Sequence, residues 1–363
     1  MKRYRVLYIS NEDSRIGGSS WSMLNMLQAL GDSVEPVILF RADGPAAAFF
    51  RERGYKCLTE PFYRNSFSAE GLMRIVRFIP HAIARALRQG RCARRVIRKA
   101  GRIDIVHSNS STVDIGLRIA GKMGVPHVWH LREYYDIGIG GKPFPSWASW
   151  KRKLFRSDSV IAISKGLYRH WNLDAHRKAF CIPDAVGSSS DITLDVRKEP
   201  YVLFLAATMS SVKNPEEAVA IFRKAALPPE YKLKLVGVGA ESFAGPSVEA
   251  VPVTGDLKPF YVKASAVLVC TRYEGMGRVA VEAMCYGCPV VARNSGGSAD
   301  VLEGGRFGSL YSSVEEGAAM LREVVLNPPL EKLRAAGENA ASMYSVDKYG
   351  EKILGVYESV CLK

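Results

Sequence analysis

The stretch from Tyr273 to Gly297, YEGMGRVAVEAMCYGCPVVARNSGG, constrains the fold of this chain more than any other part of it. An apolar, β-rich run from Ala264 to Thr271 precedes it, and Gly275 to Gly277 break that run. Arg278 to Tyr286 has helical spacing, Gly287, Cys288 and Pro289 stop the helix, and Val290 to Ala292 reads as a second buried strand. Strand, helix, strand in this order is a βαβ unit. Its strands send their carboxyl ends, and its helix the amino end, toward one crevice, where the free amides of a glycine-opened helix favour phosphate. Glu274 sits at the mouth of that crevice and Glu282 about two turns deeper. A carboxylate inside Val279-Ala280-Val281-Glu282-Ala283-Met284 faces a packed interior, where an unpartnered charge costs several kcal/mol, so a polar group must meet it. A ligand with a phosphate and a hydroxyl-rich end would touch both glutamates.

The chain has 363 residues, enough for two domains with separate cores, and its 47% hydrophobic and 24% charged content are those of a soluble globular protein. No apolar run approaches the roughly 18 residues of a membrane span, and Lys2, Arg3 and Arg5 lead into a strand without a cleavable small-residue site. These features predict a cytoplasmic protein. Cys285 and Cys288 have redox or half-zinc spacing, but no second pair or histidine cluster accompanies them, and reduced core cysteines are expected. The net charge of +14 is uneven: residues 1–184 hold 31 Lys and Arg against 15 Asp and Glu, leaving 19 against 21 for the rest. The first half therefore expects a polyanion or an anionic surface as a partner.

Tyr4 to Ser10 reads as the first strand, with Ser19 or Ser20 capping a helix that runs to about Leu30; Gly17 and Gly18 close the loop between them. Glu35 to Phe40 is a second strand and Gly44 to Arg53 a helix. Leu72, Met73, Ile75, Val76, Phe78 and Ile79 form an apolar cluster, which Pro80 is expected to interrupt. Arg85, Arg88, Arg91, Arg95, Arg98, Lys99 and Arg102 then recur at three- and four-residue steps, one stripe of a helix, with Ala86, Ala93, Val96 and Ile97 opposite. Such a stripe is either a solvated face or a contact for an anionic membrane. It lacks the interleaved aromatics of a nucleic-acid surface. Asp104 to Ser108 is a third strand with His107 buried near its end, and Pro126 to Glu133 runs from strand into loop. Trp147, Trp150 and Lys151-Arg152-Lys153 suit a membrane edge or a packed surface helix equally. Ser159 to Ile163 is a further strand and Gly187 to Asp191 a linker. Strands at Tyr201 to Ala206 and Lys232 to Gly239 open the second half, and after Gly297 the pattern is helical.

The paired glutamates, the EG-x-G turn, the EAM-x-x-G-x-PVV helix and strand and the following Gly-Gly loop resemble the signature of the family-four retaining glycosyltransferases. The resemblance implies an α/β chain of the GT-B class: two Rossmann-like domains facing a central cleft, with a C-terminal helix crossing back to the first. The corresponding division is 1–186 for the basic acceptor domain, 187–343 for the nucleotide-sugar domain and 344–363 for the terminal helix.

The resemblance further implies a metal-independent transfer of a sugar from a nucleotide-diphosphate donor to a hydroxyl acceptor, with no cofactor. In it, Gly17 and Gly18 approach the donor diphosphate, His130 lies beside the donor sugar, Lys213 clamps the diphosphate, and Met276, Gly277 and Arg278 form the helix start at the phosphates. Glu274 contacts the donor sugar and Glu282 the ribose hydroxyls. Arg132, Glu133 and Asp136 are implied acceptor contacts, while Arg91, Arg95 and Arg98 belong to the acceptor or membrane side. One departure stands out: the family's arginine five residues before Lys213 is Thr208 here. The implied acceptor is a glycan or glycolipid, such as a lipid-linked or cell-surface polysaccharide precursor, on a cytoplasmic protein held at the inner face of a membrane. The alternatives are a GT-B phosphorylase or sucrose-type synthase on soluble sugars, and a catalytically weak scaffold contacting a polyanion.

Overall fold

The computed structural model describes residues 2–14, 16–66, 71–187, 197–252 and 254–362, the side chains of 71–75 and 347 excepted. The expected linker, beyond Gly187, and the side chains of Leu72, Met73 and Ile75 lie outside the described residues. The chain divides into two compact units, Met1–Asp184 with Lys348–Lys363, and Ala185–Asp347.

In the first unit, β1 (Tyr4–Ile9), β2 (Val34–Phe40), β3 (Lys56–Thr59), β4 (Ile105–Ser108), β5 (His127–Leu131), β6 (Ser159–Ala162) and β7 (Ala179–Cys181) form one parallel sheet in the order β3-β2-β1-β4-β5-β6-β7. In the second, β8 (Glu199–Thr208), β9 (Lys232–Val238), β10 (Val248–Val251), β11 (Ala264–Val269), β12 (Val290–Arg293) and β13 (Ser309–Tyr311) repeat the plan as β10-β9-β8-β11-β12-β13. β4, β5, β6 and β11 are buried at every residue, as strands covered by helices on both faces must be, so their few polar side chains, the histidines and serines, are buried with the apolar ones. The anticipated βαβ unit is β11, the helix Arg278–Cys285 and β12, with Val267 opposite Val290. In each sheet the order reverses beside the first strand, between β1 and β4 and between β8 and β11. The loops leaving the carboxyl ends of those strands border the crevice where open α/β sheets take ligands.

Three expectations are corrected. The first helix, Gly18–Leu30, has Gly17 at its cap position, and neither Ser19 nor Ser20 caps it. Instead the Glu12 carboxylate accepts from the Gly17 and Ser20 amides at 3.2 and 2.8 Å and from the Ser20 hydroxyl. Pro80 does not interrupt its helix, which runs from Gly71 to Ala100; proline deletes one backbone bond, and on this exposed face water can serve the carbonyl that loses it. The basic stripe is also not uniform. Arg85 is buried, donating to Asp114 at 2.6 Å and to the Arg64 carbonyl at 2.7 Å, whereas Ala86 is exposed. Arg95 and Lys99 meet Glu60, 3.4 and 2.7 Å away. The acidic partners absent from the local sequence come from strand-following loops.

β13, and the short β3, β7 and β10, were not foreseen. At three or four residues each, at or near sheet edges, they are too brief for their period to register. Trp150 is fully buried against Trp129, Tyr135 and Trp171, so it belongs to the core. Cys285 and Cys288 are buried and form no disulfide, and no group of three potential metal ligands occurs among the described residues. No described helix is long and apolar enough to cross a membrane.

His107, His127 and His130 are completely buried, and burial pushes their pKa values well down, that of His127 to about 3. The unfolded chain binds protons near pH 6.5 that the fold excludes, so stability present above that pH is lost as the pH falls below it. Each such proton is worth at most about 1.4 kcal/mol per pH unit. The urea midpoint should therefore drop steeply between pH 7 and 5, above the range where most carboxylates titrate; a flat profile would contradict neutral burial of all three.

Candidate functional site

Each unit carries charged loops where its strand order reverses. In the second unit, the loop after β8 ends in Lys213, and the loop after β11 carries Glu274. Lys213 Nζ donates to Glu274 Oε2 at 2.7 Å. Burial pushes the Glu274 carboxyl up, but the Lys213 charge and hydrogen bond, with hydrogen bonds from Thr271 and Gly275, outweigh it and hold the group below the usual carboxylate value. The loop is braced by the Gly-Gly turn. The Gly297 amide donates to the Glu274 carbonyl at 2.7 Å, and a Cβ on Gly297 would stand 2.5 Å from the Met276 backbone. Two sequence elements recognised separately, the EG-x-G turn and the Gly-Gly loop, are thus one packed object.

Gly277, at φ +97°, turns the chain into the helix Arg278–Cys285, a left-handed conformation that glycine tolerates. The first backbone bonds of that helix run from Ala280 and Val281 to the Gly277 carbonyl, so the amides ahead of them lie at its open amino end. Met276 is buried beneath this start. Glu282 is met by two partners: Tyr261 donates to Oε2 at 2.6 Å, and Arg278, one turn earlier, donates to Oε1 at 3.2 Å. With 20% of its side chain exposed, Glu282 stands at the rim of the interior and not within it. Tyr261 is the polar partner that burial demanded, yet nothing in its local sequence marked it. Thr208, in place of the family's arginine, is the last residue of β8.

In the first unit, Gly17 and Gly18 follow β1, and the Gly17 amide is held by Glu12. A Cβ on Gly18 would meet nothing within 4 Å, which leaves room for a ligand beside that backbone. The loop after β4 contributes Asn109, whose Nδ2 donates to Ser19 Oγ at 3.3 Å, while Ser19 donates to Asn11 Oδ1 at 3.0 Å. His130, at the carboxyl end of β5, is completely buried, and its Nε2 has no hydrogen-bond partner among the described residues.

Arg132 was expected to contact an acceptor. Its guanidinium is instead buried and committed, with Nε donating to Asn109 at 2.7 Å and Nη1 to Asp184, which also accepts from Tyr349 at 2.9 Å. It organises the site from beneath. Glu133 accepts from the Ser110 hydroxyl and, at 3.1 Å, from the Ser111 amide; burial raises its carboxyl despite those bonds and the Arg132 charge. Asp136 pairs with His170 at 2.8 Å. Glu12, Asn109, Asp184 and Tyr349 were missed; an aspartate within Cys181-Ile182-Pro183-Asp184-Ala185-Val186 was the available signal.

Two parallel sheets of the same order, each with polar loops at its reversal, define a GT-B protein. The description Glycosyltransferase Family 4 matches residues 16–185, and Glycosyl transferases group 1 matches residues 191–343. The chain belongs to the family-four glycosyltransferases. It is 25% identical to an uncharacterized glycosyltransferase of Methanocaldococcus jannaschii over 79% of this chain and 85% of that one. Its fold is similar to that of Anabaena HepE in complex with UDP and glucose (TM-score 0.77, 17% identity, 98% of this chain and 100% of that one). It is also similar to S. aureus TarM in complex with fondaparinux, alpha-GlcNAc-glycerol and UDP (TM-score 0.76, 13% identity, 98% and 99%).

The Lys213–Glu274 pair generates a direct expectation. In Lys213→Met the cation is gone and burial becomes the larger influence, so the Glu274 carboxyl should titrate higher than in the wild type. Carboxyl-carbon NMR titration of the two proteins measures this; coincident curves would show that the pair does not set the Glu274 charge.

Proposed function

We propose that this glycosyltransferase moves a sugar from a nucleotide-diphosphate donor to a hydroxyl acceptor with retention at the anomeric carbon. The observation that carries the reading is the Lys213–Glu274 pair, 2.7 Å apart, at the strand-order reversal of the second unit and directly ahead of a glycine-opened helix. Breaking the C1–O bond leaves negative charge on a diphosphate, and fixed donors aimed at that charge lower the barrier. Lys213 and the amides at Gly277 and Arg278 are such donors, so the proposal places the charge-stabilising role on them and not on a metal ion. On donor binding Lys213 turns from Glu274 to the diphosphate, which frees the Glu274 carboxylate for a sugar hydroxyl. Glu282, its geometry fixed by Tyr261 and Arg278, accepts from the ribose hydroxyls. His130 and the backbone at Gly17 and Gly18 complete the donor contacts. That a protein of the same fold binds UDP and glucose supports the donor class. With Thr208 in the arginine position, Lys213 carries more of the clamp, and its loss should cost about 10²–10³ in rate.

The acceptor reading rests on one face of the helix Gly71–Ala100. Val76, Ile79, Ile83 and Leu87, each more than half exposed, follow one another at three- and four-residue steps, and Arg91, Arg94 and Arg98 continue the same stripe. Among the described residues no carboxylate pairs with those three arginines, and with Arg95, Ile97 and Lys122 they line an open groove. Aliphatic side chains that enter a leaflet and arginines that meet its headgroups, at about 1 kcal/mol each, suit peripheral docking on an anionic membrane and a lipid-linked acceptor.

Three measurements test these assignments. With donor varied, Glu282→Ala should raise KM while leaving kcat near its starting value, and Glu274→Ala should lower kcat about a hundredfold. NMR of the product should show the donor's anomeric configuration. Unchanged kinetics in both variants, or inverted product, would overturn the mechanism. For the acceptor side, joint reversal of Arg91, Arg94 and Arg98 to glutamate should abolish sedimentation with phosphatidylglycerol vesicles at low salt, and unchanged binding would remove the membrane role.

A further inference from the structure

Behind His130 runs a chain of buried polar groups that the proposed reaction does not use. His130 Nδ1 is 3.2 Å from His107 Nε2 and 3.4 Å from Arg132 Nη2. His107 Nδ1 is 2.9 Å from the hydroxyl of Tyr357, which lies 3.0 Å from the hydroxyl of Tyr8. All four ring-bearing residues are completely buried. Tyr357 belongs to the C-terminal helix Val346–Cys361, so the last helix of the chain reaches the group behind β5.

The order of protons along this chain follows from what each member can do. Burial first, and the Arg132 charge after it, keep both imidazoles neutral, so each has one N–H and one bare nitrogen. A guanidinium has no acceptor, and Arg132 is held in place by Asn109 and Asp184. Its N–H faces His130 Nδ1 at 3.4 Å, a long contact that favours a bare nitrogen without fixing it alone. His107 then donates to that nitrogen through Nε2–H, and its own Nδ1 accepts from Tyr357, whose hydroxyl proton rotates to suit. Tyr357 also stands in donor geometry to Tyr8, 3.0 Å away, but directing its one proton there would place a proton on His130 Nδ1 and set two N–H groups against each other at Arg132, so the proton is assigned to His107. The one proton of His130 thus falls on Nε2, the buried atom left without a partner among the described residues. A buried N–H left unmet there is costly until something accepts from it.

We propose that Tyr357 and His107 are positioning residues that hold His130 as the Nε2–H tautomer, so that it offers the substrate a hydrogen-bond donor, not a base, and selects an oxygen acceptor such as a hydroxyl of the donor sugar. The choice of a sugar hydroxyl rests on the transferase reading above; the tautomer does not.

The test uses the full-length protein with nitrogen-15 histidine and long-range proton–nitrogen spectra, His130→Gln supplying the assignment. His130 should show a protonated Nε2 and a bare Nδ1 from pH 6 to 8, and a protonated Nδ1 or an imidazolium would overturn the proposal. Removing the hydroxyl in Tyr357→Phe should move the His107 and His130 nitrogens toward tautomer-averaged shifts and lower kcat/KM about tenfold, the loss of one hydrogen bond. Unchanged His130 nitrogens in that variant would sink the coupling. His107→Gln, whose amide can still donate to His130 Nδ1, should keep the Nε2–H form, whereas His107→Phe should not; equal behaviour of the two would assign His107 to packing alone. Because the spectra need no donor, failure of the transferase reading shows up separately, as an intact tautomer in a protein without transfer activity.

Discussion

A parallel sheet cannot close its own switch point. Where β1 parts from β4, and β8 from β11, the crossovers leave in opposite directions and the strand ends stand open. Whatever follows those four strands must be polar enough to meet water or ligand, and tight enough to turn back onto a helix. Glu12 and Gly17, Asn109, Lys213, and Glu274 with its glycine turns are the answers this sequence gives at the four positions. In each unit these polar loops are therefore a consequence of the sheet order, with side-chain chemistry laid on a geometry the backbone had already imposed.

The polar groups near these loops are satisfied in layers. Lys213 neutralises Glu274 and Arg278 approaches Glu282, so neither carboxylate waits unpaired. In the first unit, Arg132 ties Asn109, Asp184 and His130 together, and Tyr349 completes the coordination of Asp184. A buried ion pair is costly to assemble and more costly to break by halves. This explains why a residue that invites a substrate-binding role from its place in the sequence serves as scaffolding. Its charge reaches ligands only through the groups it holds.

The sequence disclosed the fold class through features that are local by nature. The apolar run of β11, the glycines at 275 and 277 and the stop at Gly287–Pro289 each constrain a few adjacent residues, so the βαβ unit around Glu274 could be read almost residue by residue. Contacts between distant segments left no such trace. Tyr261 meets Glu282 from 21 residues away, Glu60 meets Arg95 from 35, and Tyr357 meets His107 from 250. The basic stripe shows the limit most clearly. Spacing gave its azimuth, but only the folded neighbours reveal that Arg85 turns inward to Asp114 while Arg91 and Arg98 remain outward.

The C-terminal helix gives the first unit an unusual schedule. Tyr349 and Tyr357 sit in the middle of that unit's buried polar chain, yet they are translated after the whole of the second unit. Until they emerge, Asp184 lacks the Tyr349 hydroxyl and His107 the Tyr357 hydroxyl, so the polar interior of the first unit is incomplete. Domains generally mature in the order in which they are made. Here the order is crossed: the second unit is translated in full before the helix that completes the first, so a truncation near residue 349 removes part of a domain whose sheet was synthesised long before.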